Sequence, residues 1–440
     1  MVETRLDLIS TSARTIALTD TLLSPTATPA AKARRRRLLS VLGIFGPGLI
    51  VMLADGDAGC LITAAQSGTQ WGYRLILPQL VLIPILYLVQ EMTVRLGVAT
   101  GEGHAALILK RFGKPWALAS AVPMLVSTVG TLVVEFVAVA GVGELFGLSE
   151  WLTVPVVTVL LVALPFCRGY RRIERIGILV GLAELVFIPA MVLTHPKVSD
   201  IVHELSSQPL AHMSYLTLLA ATVGSVIMPY MIFYQQGAVV DRKLTVDSMK
   251  RERIDTLLGA IATQVIMVAV IVTMADTVGR TNPGAALSTV DQIATALHGY
   301  LGSWQANVIV GAGLLGGAFV AAIVASVAGA WALAEVGGWQ HSLNEAPNRT
   351  NRKFFISYAL THIAGAALVL ASVDLIRLAV DVEVLNALLL PLVLGLLLAL
   401  EAKALPDHLR MHGAKRFAAT TLCGIVMVFG AYMIIPTLGW

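Results

Sequence analysis

Two stretches of this chain carry polar or helix-breaking residues where an apolar run would otherwise continue. The first reads GPGLIVMLADGDAGCLITAAQSG and places Asp55 and Asp57 near the middle of the run, with Gly56 and Gly59 around Asp57. A carboxylate at the centre of a bilayer costs several kcal/mol on insertion scales, so it ordinarily faces a polar cavity or an ion path. Glycine is a weak helix former and lets backbone carbonyls turn off the helix axis. Asp55 and Asp57 are two residues apart, and a regular helix would send them to different sides. An unwound segment would bring one of them, with nearby carbonyls, toward a common centre. The alternative is structural: Asp57 caps a second half-helix, and Asp55 caps or faces trapped water. The second stretch reads TVGSVIMPYMIFYQQGAVV. Pro229 has no amide proton and crowds the preceding turn, and Gly224 lies five residues before it, so the spacing predicts a break over 225–230. A plain proline kink is the alternative.

The chemistry available at these breaks is that of a cation site. Asp57 offers a hard anionic oxygen suited to a divalent metal ion, and Met228 offers a soft thioether beside the proline. Met228 as simple packing is the competing reading. Backbone carbonyls from Ala54 to Asp57 and near Ser225 can add oxygen ligands, and retained water can complete the shell, as Mg²⁺ often requires. Glu135 and Glu184 fall inside other apolar runs, where they would steer a cation, carry a proton or bond a neighbouring hydroxyl. Glu383 falls near the outer start of a later run and reads as a solvated end or as part of an outer mouth. His362 lies within a run and reads as structural. Cys60, Cys167 and Cys423 are odd in number and far apart, which gives no disulfide framework.

The elements that must position these residues are transmembrane helices. Of 440 residues, 57% are hydrophobic and 13% charged, against roughly 25% charged in soluble domains. Eleven apolar runs near the ~20 residues of a bilayer-crossing helix are predicted at 41–67, 75–96, 116–145, 152–167, 173–194, 213–240, 253–278, 304–337, 353–372, 384–402 and 417–437. None shows the alternation of a membrane barrel, so the fold is expected to be an all-α polytopic bundle. Lys and Arg gather beside alternate ends, at Arg34 to Arg37, Lys110 to Lys114, Arg168 to Arg175, Arg242 to Arg253, Arg349 to Lys353 and Lys403 to Arg416. Only Arg74, Lys197, Arg280 and Arg377 fall on the other side. This asymmetry puts the N-terminus in the cytoplasm and the C-terminus outside. The net charge of +4 thus follows topology, and a topogenic, lipid-contacting tail is preferred over nucleic-acid binding for Arg34 to Arg37. Residues 1–38 are expected to be a disordered cytoplasmic tail and 39–437 a single transmembrane domain. It divides into one repeat at about 41–194, a second at about 213–402 and an extra helix at 417–437. Five spans is an odd number, so the second repeat is inverted, and each repeat opens on a broken helix. Interrupted helices at matching positions of two inverted halves point to a transporter site.

Several of these residues resemble the natural-resistance-associated macrophage protein (NRAMP) family of divalent metal transporters. GPG at Gly46 to Gly48, QSGTQWGYRL at Gln66 to Leu75 and RLGVATG at Arg95 to Gly101 look like family segments. The family's DPGN motif falls on Asp57, Ala58, Gly59 and Cys60, and its MPHN motif on Met228, Pro229, Tyr230 and Met231. Ser225 falls where the family uses a backbone carbonyl, and Glu135 matches a family glutamate. By resemblance the fold is LeuT-type, five plus five helices with an eleventh, and Asp57, Met228, Ala54, Ser225 and Cys60 form the metal site. Asp55, Tyr230, Gln235, Glu135 and Glu383 would lie around it or along its pathway. The departures are informative. Cys60 replaces an asparagine ligand, Tyr230 and Gln235 stand where the family has histidines, and Leu132 stands where it has an aspartate. The histidines and the aspartate are the groups linked to proton movement in the family, and the pattern looks most like its magnesium-transporter branch.

The function expected is inward transport of Mg²⁺ and Mn²⁺ without proton coupling, by a monomer in a bacterial inner membrane. The metal ion is substrate, lipids are the other contacts, and neither cofactor nor nucleic acid is expected. The alternative within transport is a proton-coupled Mn²⁺/Fe²⁺ symporter, for which the thioether of Met228 speaks. A distant alternative is an intramembrane aspartyl protease, because Asp55-Gly56-Asp57 resembles a GxGD signature. Its spacing does not fit, and no facing carboxylate motif appears. No phosphate-binding loop is present in the sequence.

Overall fold

The computed structural model describes residues 54–166 and 182–437, apart from 288, 343, 344, 346 and 373. The expected tail, most of the first span, Cys167 and the arginines at 168–175 fall outside the described residues.

The chain is helical throughout the described residues. Helix α1 (Ala58–Trp71) starts at the first break and stops at Gly72, whose φ of +61° suits a residue without Cβ. After α2 (Ile76–Thr100) comes the short amphipathic α3 (His104–Phe112), then α4 (Lys114–Leu145) and α5 (Glu150–Ala163), which Ser149 caps by accepting from the Trp151 amide. A 3₁₀ turn (Leu182–Val186) leads into α6 (Phe187–Leu193). Next, α7 (Val198–Leu205) bends away by 112° and buries none of its residues, so it lies across one end of the bundle. The sixth span is two helices, α8 (Met213–Val226) and α9 (Pro229–Asp241), separated at Ile227 and Met228 within the predicted break. The rest are α10 (Met249–Asp276), α11 (Val290–Thr295), α12 (Ser303–Gly337), α13 (Arg352–Leu370), α14 (Leu375–Ala404) and α15 (Gly413–Thr437).

Eight helices or helix pairs among the described residues are long and apolar enough to cross a membrane. They are α2, α4, α8 with α9, α10, α12, α13, α14 and α15. The half-helix α1, the shorter α5 and the 182–193 segment occupy the three remaining expected spans. Leu80, Val122, Val159, Leu360, Phe417 and Val428 face outward, as lipid rather than water requires.

The packing repeats between halves. Helix α1 of the first span packs on α10 of the seventh, and α9 of the sixth packs on α2 of the second. Helix α4 of the third span lies on α14 of the tenth, as the 3₁₀ turn of the fifth lies on α12 of the eighth. These are the pairings that an inverted repeat of five spans demands. The tightest pair, α4 with α12, joins the two matching third members.

One expected boundary is corrected. The tenth span begins at Leu375 rather than at 384. Asp374 caps it by accepting from the Arg377 amide at 3.1 Å, and Arg377 pairs with Asp381 one turn on at 3.8 Å. Charges that read as an end are thus the first turns of the helix, and they carry Glu383 inward.

Candidate functional site

The first break ends where Asp57, in extended conformation, caps α1. Its Oδ1 accepts from the Cys60 amide at 2.8 Å, leaving Oδ2 without a partner. A capping role and an open coordination position therefore coexist on one carboxylate. Asp55 is fully buried, and neither of its oxygens has a hydrogen-bond partner.

The second break follows from Pro229. In a continuous helix the residue at 229 would donate to the carbonyl of Ser225, and proline cannot. The freed Ser225 carbonyl accepts from the Cys60 thiol at 3.1 Å. One turn on, the Tyr230 hydroxyl donates to the Ala54 carbonyl at 3.1 Å. The two breaks are therefore cross-linked by a bond from each, and both bonds are buried. Met228, fully buried, occupies the cap position of α9 between them.

Three glutamates from other spans close on this junction. Glu135 of α4 accepts from the Ala58 amide, the first of α1, at 3.4 Å. Glu184 of the fifth span lies on Gly56, where any Cβ would collide with its carboxylate. Glu383 of α14 lies on Gly59 in the same manner. The reading of Glu383 as a solvated end is corrected: it is fully buried beside the break, around the site as the resemblance implied, because α14 starts nine residues early. Its Oε2 accepts from Asn386, whose own carbonyl accepts from Ser127 at 2.8 Å. Gly317 of α12 completes the wall, for a Cβ there would strike the Gly56 carbonyl. Each of Glu135, Glu184 and Glu383 keeps one oxygen, Oε1, with no partner. None of the five acids forms a salt bridge among the described residues.

Buried acids without donors or counter-charges are expensive in a low-dielectric interior, and the oxygens here leave room for a cation to supply what is missing. They do not form a closed cage. Among the described residues no three His, Cys, Asp or Glu side chains gather as a metal-holding group. An ion at this junction would keep part of its water.

Gln235 lies apart, donating to the Thr256 hydroxyl at 3.2 Å. His362 is also structural: its Nδ1 is 2.9 Å from the Tyr358 carbonyl, and its ring packs against Tyr358 and Phe136. Sequence reasoning missed Asn386 and Ser127. The signal available was an asparagine three residues after a glutamate in an apolar helix.

The bundle is tied at both ends away from the junction. At one end the buried Glu91 of α2 bonds Arg95 at 3.0 Å, Arg253 of α10 at 2.7 Å and Lys415 of α15 at 3.0 Å. Arg95 continues to Glu401 of α14 and donates to the Leu409 carbonyl at 2.7 Å. At the other, Glu204 of α7 accepts from the Tyr73 amide at 2.8 Å and pairs with Arg74, while the Tyr73 hydroxyl donates to Asp276 of α10. Asp276 also pairs with Arg280.

Two inverted sets of helices, each opening on a broken span, with acids meeting at the breaks, have the LeuT-type architecture. The chain belongs to the natural resistance-associated macrophage protein-like family, whose pattern it matches over residues 48–436. The fold is similar to that of the Eremococcus coleocola manganese transporter, with a TM-score of 0.72 at 16% identity, covering 93% of this chain and 88% of that one. A nucleobase-cation-symport-1 family transporter in a closed conformation aligns with a TM-score of 0.60 at 13% identity, over 90% of this chain and 92% of that one. In sequence, the divalent metal cation transporter MntH of Verminephrobacter eiseniae is 30% identical over 227 residues, 50% of this chain and 51% of that protein. The MntH of Staphylococcus haemolyticus is 30% identical over 210 residues, 46% and 47% of the two chains. The matched stretch spans about half the length of these curated relatives. The proteins that this chain resembles are transporters, not enzymes, and no cofactor is indicated for them.

Proposed function

We propose that this protein carries divalent metal cations, Mg²⁺ and Mn²⁺, into the cell without proton coupling, as a member of the magnesium-transporting branch of its family. The observation that carries the reading is the set of five buried acids around the Asp57 break, all with unpartnered oxygens and none with a salt bridge among the described residues. Asp57 Oδ2 is the first ligand, and Met228 lies at the facing break. The carbonyls of Ala54 and Ser225 are engaged by Tyr230 and Cys60, so they would reach an ion only as those bonds exchange. The lack of a closed side-chain cage favours an ion bound with much of its hydration shell, which suits Mg²⁺. With the N-terminus cytoplasmic, an inside-negative potential favours inward movement by ~2.3 kcal/mol per charge per 100 mV, and a divalent ion gains twice that. Proton coupling is then not needed as a driving force, and Tyr230 and Gln235 replace the histidines that the family pattern associates with it.

A second reading is proton-coupled uptake of Mn²⁺ or Fe²⁺. The buried thioether of Met228 favours it, as do the relatives described as manganese or divalent metal transporters. Uptake of Mg²⁺ and Mn²⁺ into proteoliposomes holding an internal pH dye separates the two. Entry of both ions without acidification, abolished by Asp57→Ala, is the expected result. Acidification that tracks Mn²⁺ entry supports the symporter, and undiminished flux in Asp57→Ala removes Asp57 from the site.

A further inference from the structure

The fifth and tenth spans close the two inverted repeats, and each sends one buried glutamate onto one glycine of the α1 break. Glu383 rests on Gly59 and is held there by Asn386. Glu184 rests on Gly56, is 1% exposed, and has an Oε1 with no hydrogen-bond partner. Gly56 and Gly317 leave it room: a Cβ on Gly56 would overlap its carboxylate, and one on Gly317 would lie 3.1 Å from its Oε1. Among the described residues, the charged groups that act on Glu184 are Asp57 and Asp55, both acidic.

Elsewhere Glu91, Glu204 and Glu401 are given donors. Glu184 instead faces two like-charged groups, one of which has no hydrogen-bond partner for either of its oxygens. Such a group is tolerated in an apolar interior when a cation completes it.

We propose that Glu184 is a second cation-binding carboxylate, holding the partly hydrated divalent ion together with Asp57 on the Gly56 side of the break. This rests on the cation-transport reading above. Gly56 directly precedes Asp57 in the chain, so the Glu184 carboxylate lies beside the primary ligand.

Binding of Mn²⁺ to the purified full-length protein, followed by the loss of its free-ion paramagnetic resonance signal, tests this without requiring transport. Glu184→Gln is expected to weaken Mn²⁺ binding about tenfold, or about 1.4 kcal/mol, and to raise KM for Mg²⁺ uptake by a similar factor at unchanged melting temperature. Glu184→Asp, which keeps the charge, is expected to recover most of the affinity. Wild-type Mn²⁺ affinity in Glu184→Gln overturns the proposal. So does equal loss in both variants accompanied by a lowered melting temperature, since that is the mark of packing. If Asp57→Ala abolishes uptake while Glu184→Gln behaves as wild type, Glu184 alone is excluded and the transport reading stands. If the wild type moves neither ion, that reading fails, and the Mn²⁺ titration still decides whether Glu184 binds.

Discussion

Two groups of buried acids in this molecule are treated in opposite ways. At the bundle end, Glu91 is surrounded by Arg95, Arg253 and Lys415, and Glu401 meets Arg95 and a backbone amide. At the α1 break, Asp55, Asp57, Glu135, Glu184 and Glu383 have one another and a few weak donors. Residue type and burial are the same. What differs is whether the protein supplies the countercharge or leaves it to be supplied. The first group joins α2, α10, α14 and α15 into one body, and the second gathers acids paired with no basic side chain among the described residues.

The contrast can be broken by substitutions that remove one acid from each group. The largest effect is expected from Glu91→Ala, which strands Arg95 and part of Arg253 and Lys415. Loss of one partner in a buried ion pair costs about 3–5 kcal/mol, read as a large drop in melting temperature in detergent, with KM for Mg²⁺ little changed in the protein that remains folded. Asp55→Asn should act in the reverse sense. Removing charge from a group with no partner is expected to stabilise the protein by about 0.5–2 kcal/mol, the usual range where a functional site is relieved of strain, while Mg²⁺ uptake falls. A lowered melting temperature in Asp55→Asn would mean that the break is held together by its acids and not merely burdened by them.

A smaller effect sharpens the comparison by using pH. His104, at the start of α3 and outside the spans, is buried with its Nδ1 2.8 Å from Gln236 Oε1, and burial pushes its imidazole down to about 4. The folded state thus keeps it neutral where the unfolded chain, with an ordinary value near 6.5, takes a proton. Its contribution is complete above about 6.5 and is lost as pH falls through the window toward 4, amounting to about 1 kcal/mol near pH 5.5. Melting curves from pH 7 to 5 should show this decline, and His104→Gln should flatten it. An unchanged slope would place the acid sensitivity in the carboxylate groups instead.

The breaks were legible in the sequence because aspartate, glycine and proline are out of place in an apolar run, and each is disruptive for a local reason. Ile227 and Met228 part the sixth span within the stretch that Gly224 and Pro229 marked. Glu383 was placed near a span's outer start because Arg377 read as an end, whereas Arg377 pairs with Asp381 along the exposed face of a helix already under way. The seat of Glu184 on Gly56 had no local signal at all. It is made by helices far apart in the chain, and only packing brings them together. The same holds for Glu91, whose partners come from α2, α10 and the start of α15. Arg95 stood out as part of a recognisable segment, but nothing nearby announced that its neighbour Glu91 would be shared by three cations.

Asp57 caps a helix of 14 residues and is therefore held against the positive pole of that helix. The amide of Cys60 fixes the carboxylate, and the same amides repel any cation that the carboxylate binds. Under the proposed function, grip and repulsion would be set by one short stretch of backbone: the geometry that orients Asp57 would also limit how long it could keep an ion, and a carrier is useful only at the rate at which it lets go.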